Sequence, residues 1–140
     1  MSSPTPIAPQ MDTDAKRRKC RAVRAHHREK AKKYGVIRLN YGWRDLLKLF
    51  EATQTCRYCS MPLGWDAQFD HDEPLARGAV NHRIENIVVC CATCNQMKGC
   101  LSGKEFLKLL AFLATIDPRG AWDVKRRLGA GGAVYARGKK

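Results

Sequence analysis

Acidic residues are scarce in this sequence: 13 Asp and Glu stand against 26 Lys and Arg, a formal net charge of +13. A surplus of that size opposes compaction through self-repulsion, so its use lies in attracting polyanions. Long apolar runs are missing as well. None approaches the roughly 18–20 residues that a membrane span requires, which places nucleic acid ahead of an anionic membrane as the partner. The chain start lacks the basic-then-apolar order of a secretory signal, and the expectation is a soluble, intracellular, cytoplasmic protein. An even cysteine count is lacking too. Seven cysteines cannot all pair within one chain, and in a reducing compartment closely spaced thiols point to metal before disulfide.

With 140 residues there is material for about one domain. Its ends, MSSPTPIAP and GAGGAVYARGKK, have the compositions of mobile tails. Residues 16–33, KRRKCRAVRAHHREKAKK, hold ten Lys or Arg against one Glu and show no apolar stripe. A solvated arm is expected there, or a helix that forms only on a polyanion. Residues 41–55 place Trp43, Leu46, Leu47 and Phe50 at helical spacing, so an amphipathic helix should pack on the core. Two short strands are predicted at 67–71 and 87–90. A helix should begin near residues 91–95, and another at Ser102, which has capping-box spacing to Glu105. That last helix carries Phe106, Leu109, Leu110 and Leu113 on one face and ends before Asp117-Pro118. The two CxxC elements are the one internal repeat.

Cys56-x-x-Cys59 and Cys91-x-x-Cys94 lie 31 residues apart. Two such turns complete a tetrahedral sulfur shell, which suits zinc and leaves no open position for catalysis. The ion is therefore read as structural, and its loss should unfold the domain. A redox pair would need a βαβ context that is absent. Cys90 could replace Cys91, although Cys91 keeps the two-residue spacing; Cys20 and Cys100 receive no partner.

Between the cysteine pairs runs FDHDEPLARGAVNHRIENIVVCCATCNQMKG. Asp70-His71 falls at a predicted strand end, Asn86 opens the second strand, and Asn95 follows a cysteine. Phosphodiester hydrolysis needs an activated water and stabilised charge at phosphorus. An imidazole can take the water's proton near neutral pH. A carboxylate can hold a hard divalent ion with an amide oxygen as second ligand, and that ion polarises the phosphate. Asp70, His71 and Asn95 supply these groups if the strands and helix converge.

The spacings H-x14-N and N-x8-N, with both CxxC pairs, Pro74, Arg77-Gly78 and Lys98-Gly99, resemble the HNH endonuclease family over about residues 56–99. The third position is Asn rather than His, and Asp72-Glu73 replaces an apolar pair usual in that family. The resemblance implies His71 as general base and Asp70 and Asn95 as ligands of a catalytic magnesium or manganese ion. It implies that Asn86 fixes the loop and orients His71. Products would carry 5′-phosphate and 3′-hydroxyl ends, and small proteins of the family occur in phages and other mobile elements. Arg57, Tyr58, Arg77 and Lys98 are candidate nucleic-acid contacts; His82, in the loop, could touch phosphate or act as a base.

The expected fold is α+β, a zinc-stapled ββα-metal unit with flanking helices. Residues 1–40 are expected as a disordered or basic nucleic-acid-binding arm, 41–117 as the nuclease domain, and 118–140 as a basic segment and flexible tail. The expected partner is double-stranded DNA. The competing expectation is a zinc-stabilised nucleic-acid-binding module without catalysis.

Overall fold

The computed structural model describes residues 11–36, 38–78 and 82–129, with Ala121 and Trp122 described through their backbone alone. The expected mobile tails at 1–9 and 130–140 lie outside the described residues. Helices α1 (Thr13–Lys33) and α2 (Trp43–Ala52) precede strand β1 (Gln68–His71). Strand β2 (Ile87–Cys90) leads into helices α3 (Ala92–Lys98), α4 (Gly103–Leu113) and α5 (Pro118–Gly129). The fold is α+β, as expected, and both strands fall where the β-forming residues placed them.

The strands form one antiparallel pair with Gln68 opposite Cys90, Phe69 opposite Val89, Asp70 opposite Val88 and His71 opposite Ile87. Because side chains alternate along a strand, the hairpin divides two apolar clusters. Phe69, Ile87 and Val89 join Cys20, Ala31, Leu39, Tyr41, Leu46 and Ala67 under α1 and α2. Cys90 joins Cys56, Tyr58, Cys94, Met97 and Phe106 beside α3 and α4. Trp43, Leu47 and Phe50 pack against the first cluster, so the amphipathic face of α2 is core, as its spacing predicted.

Helix α1 corrects the expectation of a solvated arm. Cys20, His27 and Ala31 are buried, and Val23 packs beside them. These four positions fall at helical spacing, but the residues are small or polar, and ten cations conceal them in the sequence. Asp12 caps the first turn by accepting from the Ala15 N–H at 2.7 Å. The C-terminal segment is likewise more ordered than a tail: Pro118 opens α5, a position where its missing N–H costs nothing, and Leu128 packs against the second cluster. No helix among the described residues is long and apolar enough to cross a membrane.

The predicted capping box at α4 is present. Ser102 Oγ accepts from the Glu105 N–H at 3.1 Å, and Glu105 Oε1 accepts from the Ser102 N–H at 2.9 Å. The helix start lies so close to Asp72 that a side chain at position 103 would push the Asp72 carboxylate aside. A Cβ there would meet Asp72 Oδ1 at 1.8 Å, while the Gly103 N–H donates to Asp72 O at 2.8 Å. The Asp72 carboxylate also accepts from Tyr58 OH at 3.4 Å, a contact that the family pattern did not suggest.

Candidate functional site

Four sulfurs converge between the turn after α2 and the start of α3. The Sγ atoms of Cys56, Cys59, Cys91 and Cys94 all lie within 4.8 Å of one another, and Cys59 and Cys91 are 3.9 Å apart. A Zn–S bond of about 2.3 Å gives a tetrahedron edge of ~3.8 Å, so the set fits a metal such as zinc. Cys91, and not Cys90, which lies buried in β2, is gathered with the other three sulfurs. The N–H groups of Tyr58 and Cys91 point at Cys56 Sγ from 3.4 and 3.3 Å. Burial raises the Cys56 thiol, but the backbone N–H groups of Cys59, Cys91 and Tyr58 outweigh it and bring it to about 7. Burial pushes Cys91 and Cys94 up, so metal entry must displace protons from this cluster. After the first pair the chain turns at Ser60, whose positive φ of 63° bends it back.

The same alternation that divides the core separates Asp70 from His71. On one face, Asp70 Oδ2 accepts from Tyr58 OH at 2.9 Å and from Lys98 Nζ at 3.0 Å. Lys98 is 1% exposed, and its ammonium also donates to the His71 carbonyl at 3.0 Å. Lys98 and Tyr58, expected as nucleic-acid contacts, are therefore buried partners of Asp70. Burial, and then the Asp70 charge, push the Tyr58 phenol far up, keeping it a donor. Asn95 and Gln68 occupy the same face, with their side-chain amides paired at 2.5 Å.

That arrangement does not fit a ready site for a divalent cation on Asp70 and Asn95. Both residues face α3's side of β1, as expected. The Asp70 carboxylate, however, already holds an ammonium. Two unit charges ~4 Å apart at an effective dielectric of 20 interact by about 4 kcal/mol, and a divalent ion beside Lys98 would face roughly twice that in repulsion.

On the other face, His71 is buried beneath α1. Its ring centroid lies 4.7 Å from that of His27 and 6.1 Å from that of His82. His27 is held by Tyr41, whose hydroxyl lies 2.8 Å from Nδ1. His71 Nε2 and both ring nitrogens of His82 are buried without a hydrogen-bond partner among the described residues. His82, expected in an accessible loop, is 4% exposed. Burial, followed by the positive charge of neighbours including Lys30, lowers His71 to about 3 and His27 to about 4. Burial also lowers His82. All three rings are neutral at pH 7 and retain a lone pair able to accept a proton.

Asn86 closes the loop that follows β1. Its Oδ1 accepts from the Glu73 N–H at 2.8 Å, its Nδ2 donates to Glu73 O at 2.9 Å, and its own carbonyl accepts from the Asp72 N–H at 2.9 Å. Arg77 turns away from the site to pair with Glu105. Arg57 is exposed and lines a groove of about 470 Å³ with Lys104 and Lys108 of α4. Sequence reasoning missed His27, whose signal was the helical spacing of buried positions in α1, and its partner Tyr41, which lies just before α2. It also missed Gln68, for which the sequence carried no signal.

Residues 56–100 match the family model described as HNH endonuclease. Neither the curated proteins nor the solved structures give a match to this chain.

Proposed function

From a chain whose residues 56–100 carry an HNH endonuclease segment, we propose that the protein is a DNA endonuclease that hydrolyses phosphodiester bonds. The observation that carries this reading is a β1–β2–α3 unit with Asp70-His71 ending β1, beside a loop that Asn86 ties down. His71 is the general base. It takes a proton from water as the water oxygen bonds to phosphorus and the P–O3′ bond breaks. The leaving oxygen takes a proton from solvent, giving 3′-hydroxyl and 5′-phosphate ends. A phosphate anion beside the imidazole favours its protonated form, which opposes the depression caused by burial. Water must reach Nε2, so α1 has to draw back from His71 when DNA binds. Asn86 fixes Glu73, two residues beyond His71, and through it the end of β1.

Zinc in the four-sulfur cluster is structural, setting α3 against the hairpin. Magnesium or manganese would supply Lewis-acid chemistry to the phosphate. Asp70 Oδ2 is already taken by Lys98 and Tyr58, so no step here runs through such an ion. Exposed basic residues of α1, with Arg57 beyond it, hold the double-stranded DNA backbone, and binding should weaken steeply with salt.

The test is supercoiled plasmid incubated with zinc-loaded wild type and His71→Ala, with magnesium, with manganese and with EDTA. Cleavage by wild type alone, with DNA affinity shared by both proteins, supports the assignment. Equal loss of cleavage and binding in the variant moves His71 to folding or binding. The ammonium on Asp70 and the burial of His71 favour a second reading, a nucleic-acid-binding module without catalysis. Tight, salt-dependent binding without cleavage by the folded wild type under every metal condition would establish it.

A further inference from the structure

Buried lysines are rare unless paired, and Lys98 is among the most deeply buried large side chains of this protein. Its ammonium makes two charge-assisted contacts at 3.0 Å, to Asp70 Oδ2 and to the His71 carbonyl. The Tyr58 hydroxyl completes the shell of that carboxylate oxygen, and the Tyr58 ring centroid lies 5.9 Å from the ammonium. Covalent geometry also favours the arrangement. Lys98 follows Asn95 by three residues on α3, so both side chains leave the helix on one face, toward Gln68 and Asp70.

We infer that Lys98 is the resident cation of this site: its ammonium occupies Asp70 and excludes a divalent ion from that carboxylate in the free protein. Asp70 and Lys98 together carry no net charge, so the pair attracts a metal ion far less than a lone carboxylate would. An ion entering there must displace an ammonium that has no solvent-exposed place to go while α3 stays on β1. The inference rests on the HNH reading only for which carboxylate a metal would seek. It concerns metal occupancy, so a plasmid assay without cleavage leaves it standing.

The experiment titrates manganese into the zinc-loaded, full-length protein and follows amide resonances by NMR. Wild type should show no selective paramagnetic broadening at residues 69–72 and 95, and Asp70→Asn should leave any manganese binding elsewhere unchanged. Lys98→Met should create a site that broadens those resonances selectively, where wild type shows none. Asp70→Asn combined with Lys98→Met should abolish it. Lys98→Met leaves a buried carboxylate uncompensated and Asp70→Asn a buried ammonium; where either fails to fold, the wild-type titration and the double variant decide. Broadening centred on Asp70 in wild type, removed by Asp70→Asn, overturns the inference. So does a folded Lys98→Met protein that gains no site.

Discussion

The two faces of β1 are built on opposite terms. On the Asp70 face a carboxylate, an ammonium, a phenol and two amides are paired with one another over a few ångströms. On the His71 face three imidazoles crowd together with three ring nitrogens unpartnered. Each buried unpaired polar group costs about 1–3 kcal/mol, so the second face is kept at an expense in stability. A satisfied network specifies a fold, and an unsatisfied one leaves lone pairs available for chemistry. The alternation of a four-residue strand thus places a paired carboxylate and an unpaired imidazole back to back, one residue apart.

The largest effect should come from removing the support common to both faces. Cys91 caps the helix that carries Lys98 and Cys94 lies in its first turn beside Asn95, so metal loss should free the whole Asp70 face. Structural zinc contributes on the order of 10 kcal/mol in small domains. Cys56→Ser, or chelation of wild type, should therefore abolish the cooperative melt and most of the helical circular dichroism. A metal-free Cys56→Ser protein with an unchanged melt would show that the hairpin holds α3 unaided.

Breaking the satisfied face alone comes next. Lys98→Met removes the cation from a carboxylate that is 13% exposed. Losing one partner of a buried pair costs about 3–5 kcal/mol, and replacing both partners restores much of it. Denaturant melts should therefore find Lys98→Met far less stable than Asp70→Asn with Lys98→Met. Equal losses would mean that the pair is more solvated than its burial indicates.

The third effect is specific to the histidine face. His27 titrates at about 4 in the fold against 6.5 when free. The unfolded chain then binds more protons between those values, so the contribution is complete above pH 6.5 and lost as pH falls toward 4. Its limit is about 3 kcal/mol. Acid also protonates the metal thiolates and the surface carboxylates, so the informative quantity is a difference. Between about pH 7 and 4.5, His27→Phe should lose less stability than wild type. Parallel curves for the two proteins would place the titration elsewhere.

How much of this was legible in the sequence differs between the faces for a physical reason. Cys56, Cys59, Cys91 and Cys94, the strand residues Phe69 and Val89, and the Ser102–Glu105 box all announce themselves through local spacing, and each lies where the spacing put it. Lys98 does not. A lysine one turn beyond Asn95 reads as helix surface, because no local pattern shows that β1 will press a carboxylate against it. Helix α1 was misread for a similar reason. Its buried positions are Cys20, His27 and Ala31, none of them a large aliphatic, and the core they enter, with Tyr41, Leu46, Phe69 and His71, is built from residues distant in sequence. The residue types of the candidate site were legible, and which of them touch was set by tertiary packing.

The smallest expected change sharpens the comparison most, because it should have the opposite sign. His82 is 4% exposed, and neither of its ring nitrogens has a partner. His82→Phe keeps an aromatic ring beside His71 and Tyr34, whose ring centroids lie 6.1 and 5.8 Å away. It also removes two polar atoms that burial penalises. Where no hydrogen bond is lost, an apolar ring of similar shape should be neutral or stabilising, by up to about 1 kcal/mol. Overpacking by the slightly larger ring works against that gain. A destabilisation of about 2 kcal/mol or more in a denaturant melt would show that His82 makes a polar contact in solution. The histidine face would then be satisfied like the other, and the contrast across β1 would be lost.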